Sequence, residues 1–471
     1  MSSGNINLKQ VLLVFILGAV LWNVPAPIGV DLKAWHLFGI FITTIIAIIL
    51  NPMPIGAIAL FSILVCIITH TLTLHQALSA FSIDIAWLVV FAFFISRGFI
   101  KTGLGKRIAY YFISKIGKST LGLSYGLILT DFILSPMIPS VTARGGGIIF
   151  PIAKALSDEY EKNNPSRKDK NHSGGFLIQV CFQSNVVTSA MFLTAMAGNP
   201  LVLKLAPQFG IDISWETWAL GAIVPGIISL LLIPLVIYLI YPPSVKSTEN
   251  APRIAKQALK EMGKITKHEV VMLLTFILLI TLWILDYRVG FNATTTALLG
   301  FCILIISGVL SWNDALSEKG AWDTLTWFGT LVMMSGFLKE FGIMAWIGGQ
   351  MEHLVAGKGM MLTIVVIGLL YFYVHYFFAS ITAKITVLYS TFLMLLISAG
   401  VPKLVSALAL AYFSSLAAGL THYGISSAPV FFGAGYFNTK TWWKVGFLVS
   451  LVNLAVWATI GSAWWYALGW W

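Results

Sequence analysis

Continuous apolar runs at 58–68, 221–240 and 361–378 restrict what this chain can fold into more than any other feature. A bilayer core about 30 Å thick needs about 20 apolar residues per spanning helix. Only helices and closed barrels satisfy every backbone polar group at that depth. The runs do not alternate, so they read as helices, and the chain reads as an all-α polytopic membrane protein. Its 471 residues are 10% charged, against about 25% in a soluble domain. That length allows about ten to twelve spanning or re-entrant segments. No cleavable signal is expected, because 1–10 is polar and 11–22 has no small-residue cleavage site behind it.

Two short motifs interrupt this pattern. PSVTAR, residues 139–144, runs into Gly145, Gly146 and Gly147, and ASITAK, residues 379–384, lies 240 residues later inside apolar sequence. Both carry Ser-x-Thr-Ala and end in a cation. An arginine keeps its proton in a protein, and the middle of a bilayer is a costly place for any charge. Such residues mark functional sites or bound partners.

The net charge of +11 reads as cytoplasmic-loop bias rather than as a nucleic-acid surface, because the cations are spread over separate loops. Polar breaks alternate sides from a cytoplasmic N-terminus if two segments enter and leave on one side. These re-entrant hairpins are 121–156 and 361–399, each broken at its middle by a motif, with arms short for a span. Then 21 of the 29 Lys and Arg fall in the cytoplasm and six outside, leaving Arg144 and Lys384. The three cysteines, Cys66, Cys181 and Cys302, read as buried apolar groups rather than as a disulfide or metal framework. The C-terminal Trp464, Trp465, Trp470 and Trp471 read as part of an interfacial belt.

An odd number of crossings separates the two hairpins, which predicts two inverted repeats, 1–240 and 269–471, joined by a cytoplasmic linker at 241–268. Trp87 with Gly98, Phe99 and Lys101 precedes the first motif, and Trp327 with Gly336, Phe337 and Lys339 precedes the second. Phe132 and Phe372 keep the spacing of 240. A Gly- and Pro-interrupted segment follows each hairpin, at 195–202 and 423–436. Paired interrupted helices in inverted repeats are the sequence signature of a secondary transporter with a midplane site.

At each tip, backbone N–H groups and half-helix N-termini attract anions. Ser140, Thr142, Ser380 and Thr382 add hydroxyl donors, and Arg144 and Lys384 add charge. The set suits a small organic dianion. Each residue also has a plainer reading. A membrane Ser or Thr commonly bonds the carbonyl four residues back, Arg144 can pair structurally with Asp131, and the three glycines can serve close packing. His375 and His422 read as hydrogen-bonded structural histidines, with a proton relay as the alternative. No phosphate loop, zinc helix or cofactor motif is present. A Ser380–Lys384 dyad could serve an intramembrane hydrolase, but its twin at Ser140 ends in arginine, which cannot act as a base.

PSVTARGGGIIFPI, SITAKITVLYSTFLMLLISAGVP and LTHYGISSAPVFFGAGY together resemble the divalent anion/sodium symporter (DASS) family over nearly the whole chain. They are most similar to its branch of 2-oxoglutarate/malate translocators and citrate/succinate antiporters. The resemblance implies a homodimer, an elevator-type mechanism, and a di- or tricarboxylate substrate such as succinate, malate, 2-oxoglutarate, citrate or tartrate. Sodium-coupled members carry Ser-Asn-Thr at both tips. Here Val141 and Ile381 replace the asparagines, and a cation follows each Thr. The resemblance also implies that Ser184, Asn185, Asn199, Pro200, Ser427 and Pro429 line the site. The expectation is therefore sodium-independent exchange in a bacterial inner membrane, with Arg144 and Lys384 standing in for sodium ions. The alternative is a symporter coupled to sodium, or to protons through His375 or His422. The expected partners are the dianion, lipid and a second copy of the chain, with no metal, no cofactor and no nucleic acid.

Overall fold

The computed structural model describes residues 7–50, 52–162, 172–285, 290–343, 346–347, 359–378 and 380–471, with the side chains at 160–162 and 172 left aside. Every regular element among them is helical, and the single isolated bridge joins Ser119 to Ser247. Eight of the described helices are long and apolar enough to cross a membrane. Four shorter apolar helices accompany them: Leu8–Trp22, Ile55–Ile68, Thr120–Leu134 and Ala293–Ile306.

The helices recur in matching order along the chain. Leu32–Leu50, Ile55–Ile68, the short Leu74–Leu78 and Asp84–Thr102 are echoed by Lys267–Ile284, Ala293–Ile306, Trp312–Leu316 and Lys319–Glu340. Both short helices open on a reciprocal capping box, Thr73 with Gln76 and Ser311 with Asp314. A helical hairpin follows in each series, then a long polar-lined helix, a break and a short helix that starts on proline. These are His172–Met191 with Asn199–Leu205, and Lys403–Leu416 with Ala428–Phe432.

The arms of the two hairpins differ in length. Thr120–Leu134 has 15 residues, about 22 Å at 1.5 Å per residue, short of a bilayer core. Met360–Phe377 and Ile381–Ser398 have 18 each and are long and apolar enough to span. The expectation of short arms holds for the first helix of the first hairpin and is corrected for the second hairpin. There a 3₁₀ turn, Val374–Phe377, extends the helix almost to the motif.

Helix Trp215–Ile240 contains Pro225 and Pro234. Pro225 has no N–H to give the carbonyl of Gly221 four residues back, and the Trp465 Nε1 donates to that carbonyl at 2.8 Å instead. Trp464 donates to the Leu220 carbonyl at 2.7 Å. The C-terminal tryptophans thus bind the last helix to a proline-weakened one. The belt reading is corrected for Trp465, which is buried in the core. Cys66 and Cys181 are buried as expected, but Cys302 is exposed, on the helix face turned away from the core.

Helix Asn250–Glu261 is anchored at both ends. Thr248 donates to the Gly117 carbonyl at 2.7 Å. At the far end Arg107 donates to both oxygens of the buried Glu269 at 2.5 and 3.2 Å, and to the carbonyls of Met262 and Gly263. Glu269 also caps its own helix by accepting from the Thr266 N–H. Nearby, the Lys101 ammonium at 2.6 Å and the Ser311 N–H hold the Asp314 carboxyl down at about 2. Truncating Arg107 leaves a buried carboxylate without its main donor. We expect Arg107→Ala to lower stability by about 1–3 kcal/mol, read as an earlier thermal transition in detergent. Lys101→Ala, at a more exposed pair, should shift it far less.

Candidate functional site

Each motif begins the second arm of a hairpin. The Ser140 Oγ accepts the Ala143 N–H at 3.1 Å, and the Ser380 Oγ accepts the Ala383 N–H at 3.3 Å. Both serines are N-caps, which satisfy one free donor of the first turn and fix where the helix starts. The other N–H groups of that first turn have no intrahelical acceptor. In the first hairpin the turn is wide, because Thr142–Ile149 is π-helical. A Cβ on Gly145 would meet the Asn185 Oδ1 at 2.8 Å, and one on Gly146 would meet Val430 at 3.3 Å. These glycines permit close packing, while Gly147 faces open space.

Arg144 does not offer a free charge. It is wholly buried, and its five N–H donors are all engaged. Nε donates to the Asp131 Oδ1 at 2.9 Å, and one terminal nitrogen to the carbonyls of Ile138 and Ala195 at 2.7 and 2.8 Å. The other donates to Ser189 at 2.8 Å and Thr188 at 3.4 Å. Asp131 is in turn held by both Asn185 Nδ2 contacts and by the Thr188 hydroxyl. The expectation that Arg144 supplies compensating charge is therefore corrected. A fork of five donors in an apolar tip needs a full set of acceptors, and Asp131 neutralises it.

Lys384 differs. It is equally buried, but its ammonium has no hydrogen-bond partner among the described residues. It sits 4.3 Å from the centre of the Tyr371 ring. The Tyr371 hydroxyl is fixed by Ser414 at 2.7 Å.

The two tips dock on broken segments of opposite halves. Thr142 donates to the Ser426 hydroxyl at 2.9 Å. Thr382 lies against Gly198, where a Cβ would come within 3.2 Å of its Oγ1. Ser380 and Thr382 also line a cavity of about 80 Å³ together with Ile48, Ile55, Trp327 and Leu331. The deeper residues are occupied internally. Asn185 accepts from Ser427 at 3.3 Å while holding Asp131, and Asn199 donates to the Ser189 and Phe192 carbonyls and accepts from Ser415. They tie the halves together rather than face an opening. Ser184 and Pro200 are buried, with the Ser184 hydroxyl unpartnered among the described residues, and Pro429 is exposed.

Ser426 was not singled out from the sequence. In the SSAP stretch its neighbour Ser427 turns inward and Ser426 turns to the opening, a difference of one residue that composition cannot resolve. His375 bonds the Gly424 carbonyl at 3.0 Å and His422 accepts from the Trp443 indole at 3.2 Å, so both are held in place. Among the described residues no cluster of three or more His, Cys, Asp or Glu could hold a metal.

Asp131→Asn should destabilise the protein by about 3–5 kcal/mol, since it leaves a buried guanidinium uncompensated. The double variant Asp131→Leu, Arg144→Met should recover most of that loss in a thermal melt. A double variant no better than the single one would show that Arg144 has a partner other than Asp131.

Residues 5–471 match the family model described as sodium:sulfate symporter transmembrane region. A Bacillus subtilis (strain 168) protein named "Putative malate transporter YflS" is 50% identical over 467 residues, 99% of this chain and 98% of that one. Dicarboxylate transporter 1, chloroplastic, of Spinacia oleracea is 45% identical, covering 99% of this chain and 82% of its own. Inner membrane protein YbhI of Escherichia coli (strain K12) is 37% identical, covering 98% of each. In the crystal structure of the Alcanivorax borkumensis YdaH transporter the fold recurs at TM-score 0.52 and 13% identity, over 99% of this chain and 97% of that one. With its motifs, helix order and a match over almost its full length, the chain belongs to the divalent anion/sodium symporter family of membrane transporters.

Proposed function

We propose that the chain is a dicarboxylate transporter that exchanges one small dianion for another without sodium. The observation that carries this is the buried Lys384 side chain, whose amino group has a ring face and, among the described residues, no hydrogen-bond partner. The two hairpin N-termini each contribute roughly half a positive charge. With Lys384 protonated, they bring the site to about +2. Val141 and Ile381 stand where sodium-coupled relatives have amide side chains, so sodium loses two oxygen ligands. The relatives named for malate and dicarboxylates favour a four- or five-carbon dianion such as malate, succinate or 2-oxoglutarate, with citrate or tartrate as larger possibilities.

An empty site of this kind carries uncompensated positive charge, and each charge moved through a low-dielectric barrier costs at least about 2.5–3.5 kcal/mol. A bound dianion cancels it. The loaded site crosses and the empty one stays, which is exchange. Re-entry of the first hairpin is supported by its ties: the Thr120 N–H reaches the Lys246 carbonyl, Ser173 bonds Ser244, and Tyr436 bonds Asp158. The start of that segment therefore meets the 244–248 stretch, and its far end lies beside Tyr436, whose ring also lies against Gly174, next to Ser173. Inverted orientation, repeats at 1–240 and 269–471, a linker at 241–268 and a cytoplasmic N-terminus follow from the charge count. Helix Leu104–Ile116 lies antiparallel to Thr120–Leu134, with Gly105 against Leu134 and Ile148 at the tip and Gly126 against Ile113 and Ile116. Such a strap fits an elevator-type movement. The homodimer rests on family resemblance, and the inner membrane on resemblance and on the name of the Escherichia coli relative.

One observation favours a second reading. The His375 Nδ1 is buried without a partner among the described residues, which suits a proton-coupled symporter. Purified protein in liposomes separates the two. Exchange predicts rapid malate uptake only when a dicarboxylate is inside, with or without sodium. Proton or sodium symport predicts uptake into substrate-free vesicles driven by the matching gradient. Alanine at Thr142, Thr382 or Ser426 should weaken the exchanged substrate by roughly tenfold, the loss of one hydrogen bond to a charged group. Unchanged affinity in all three would remove both tips from the site.

A further inference from the structure

The two hairpins are built on one plan with one chemical difference. Asp131 and Arg144 stand 13 residues apart in the first, and Tyr371 and Lys384 stand 13 apart in the second. The pairs are placed alike, although Arg144 meets Asp131 in an ion pair at 2.9 Å and Lys384 lies 4.3 Å from a ring centre. Each cation is buried and turns back onto the residue of its own first arm. Each of those residues is held by a hydroxyl from the long polar-lined helix that follows, Asp131 by Thr188 and Tyr371 by Ser414. The rings around Tyr371 fix it further, with Phe392 at 5.1 Å. In the first half the cation has its anion in the chain. In the second half a neutral ring stands at that anion's place.

We propose that Tyr371 is the residue that makes exchange obligatory, acting as a positioning residue on Lys384. This rests on the exchange reading above. The ring face holds the ammonium in register by a cation–π contact without cancelling its charge. The charge left over must then be matched by a carboxylate of the transported dianion. A carboxyl at 371 would do for Lys384 what Asp131 does for Arg144. It would take the empty site from about +2 to about +1 and so ease the return of the empty carrier.

The test places Tyr371→Asp, the longer Tyr371→Glu, Tyr371→Phe and the unchanged protein in liposomes with and without internal malate. A thermal melt confirms folding of each. We expect at least one carboxyl variant to take up labelled malate into substrate-free vesicles roughly tenfold or more faster than the unchanged protein, since one charge has been removed from the empty crossing. Its malate affinity should fall. Tyr371→Phe keeps the ring and should keep the need for internal substrate. Should neither carboxyl variant fold, Lys384→Gln, which removes the charge itself, should show the same release from internal substrate. Folded variants that all remain strictly dependent on internal malate overturn the role of position 371 and leave the exchange reading standing. Fast uptake into substrate-free vesicles by the unchanged protein instead overturns the exchange reading.

Discussion

A cation buried in a membrane protein must find its counter-charge, and in this chain the two halves answer that demand differently. Arg144 and Asp131 close on one another through direct and shared hydrogen bonds. The pair fixes the first tip to helix His172–Met191 and, through Asn185 and Ser427, to the break of the other half. A neutral pair of this kind stiffens the tip without giving it a net charge. Lys384 has no such partner among the described residues, and on the proposed reading the electrical character of the site falls to it and to the helix ends. The serines serve this arrangement by fixing where each second arm starts, and so where its free N–H groups point.

Around the tips the fold solves the other membrane problem, that of backbone groups released by irregular structure. Indole N–H groups recover the carbonyls near Pro225. Asn199 recovers two carbonyls where His172–Met191 ends, and His375 takes one at the second break. Broken helices survive at such depth only where neighbours supply these partners. This explains why so many of the polar residues beside the breaks are occupied internally rather than free for a ligand.

Much of the fold was legible in the sequence because it rests on length, hydropathy and repetition. The apolar runs gave the helices, and the spacing of 240 gave the matching hairpins. What escaped was direction. A chain shows that Arg144 and Asp131 are near one another in sequence, but not that every donor of the guanidinium is used. It shows two adjacent serines, but not that Ser427 faces inward while Ser426 meets Thr142. Trp465 carries the composition of an interfacial residue, yet the carbonyl freed by Pro225 draws it into the core. Arm length in the second hairpin was misjudged because the 3₁₀ turn at 374–377 carries the helix further than its hydropathy break indicates.

The central claim is that charge is balanced in the loaded site, so that a full cycle moves one dianion each way and no net charge. Current measured on a supported membrane during malate–succinate exchange tests it most directly. Balanced charge predicts rapid exchange of label with no current, unaffected by an imposed membrane potential or by sodium. A current that accompanies exchange and scales with a sodium or proton gradient would contradict it.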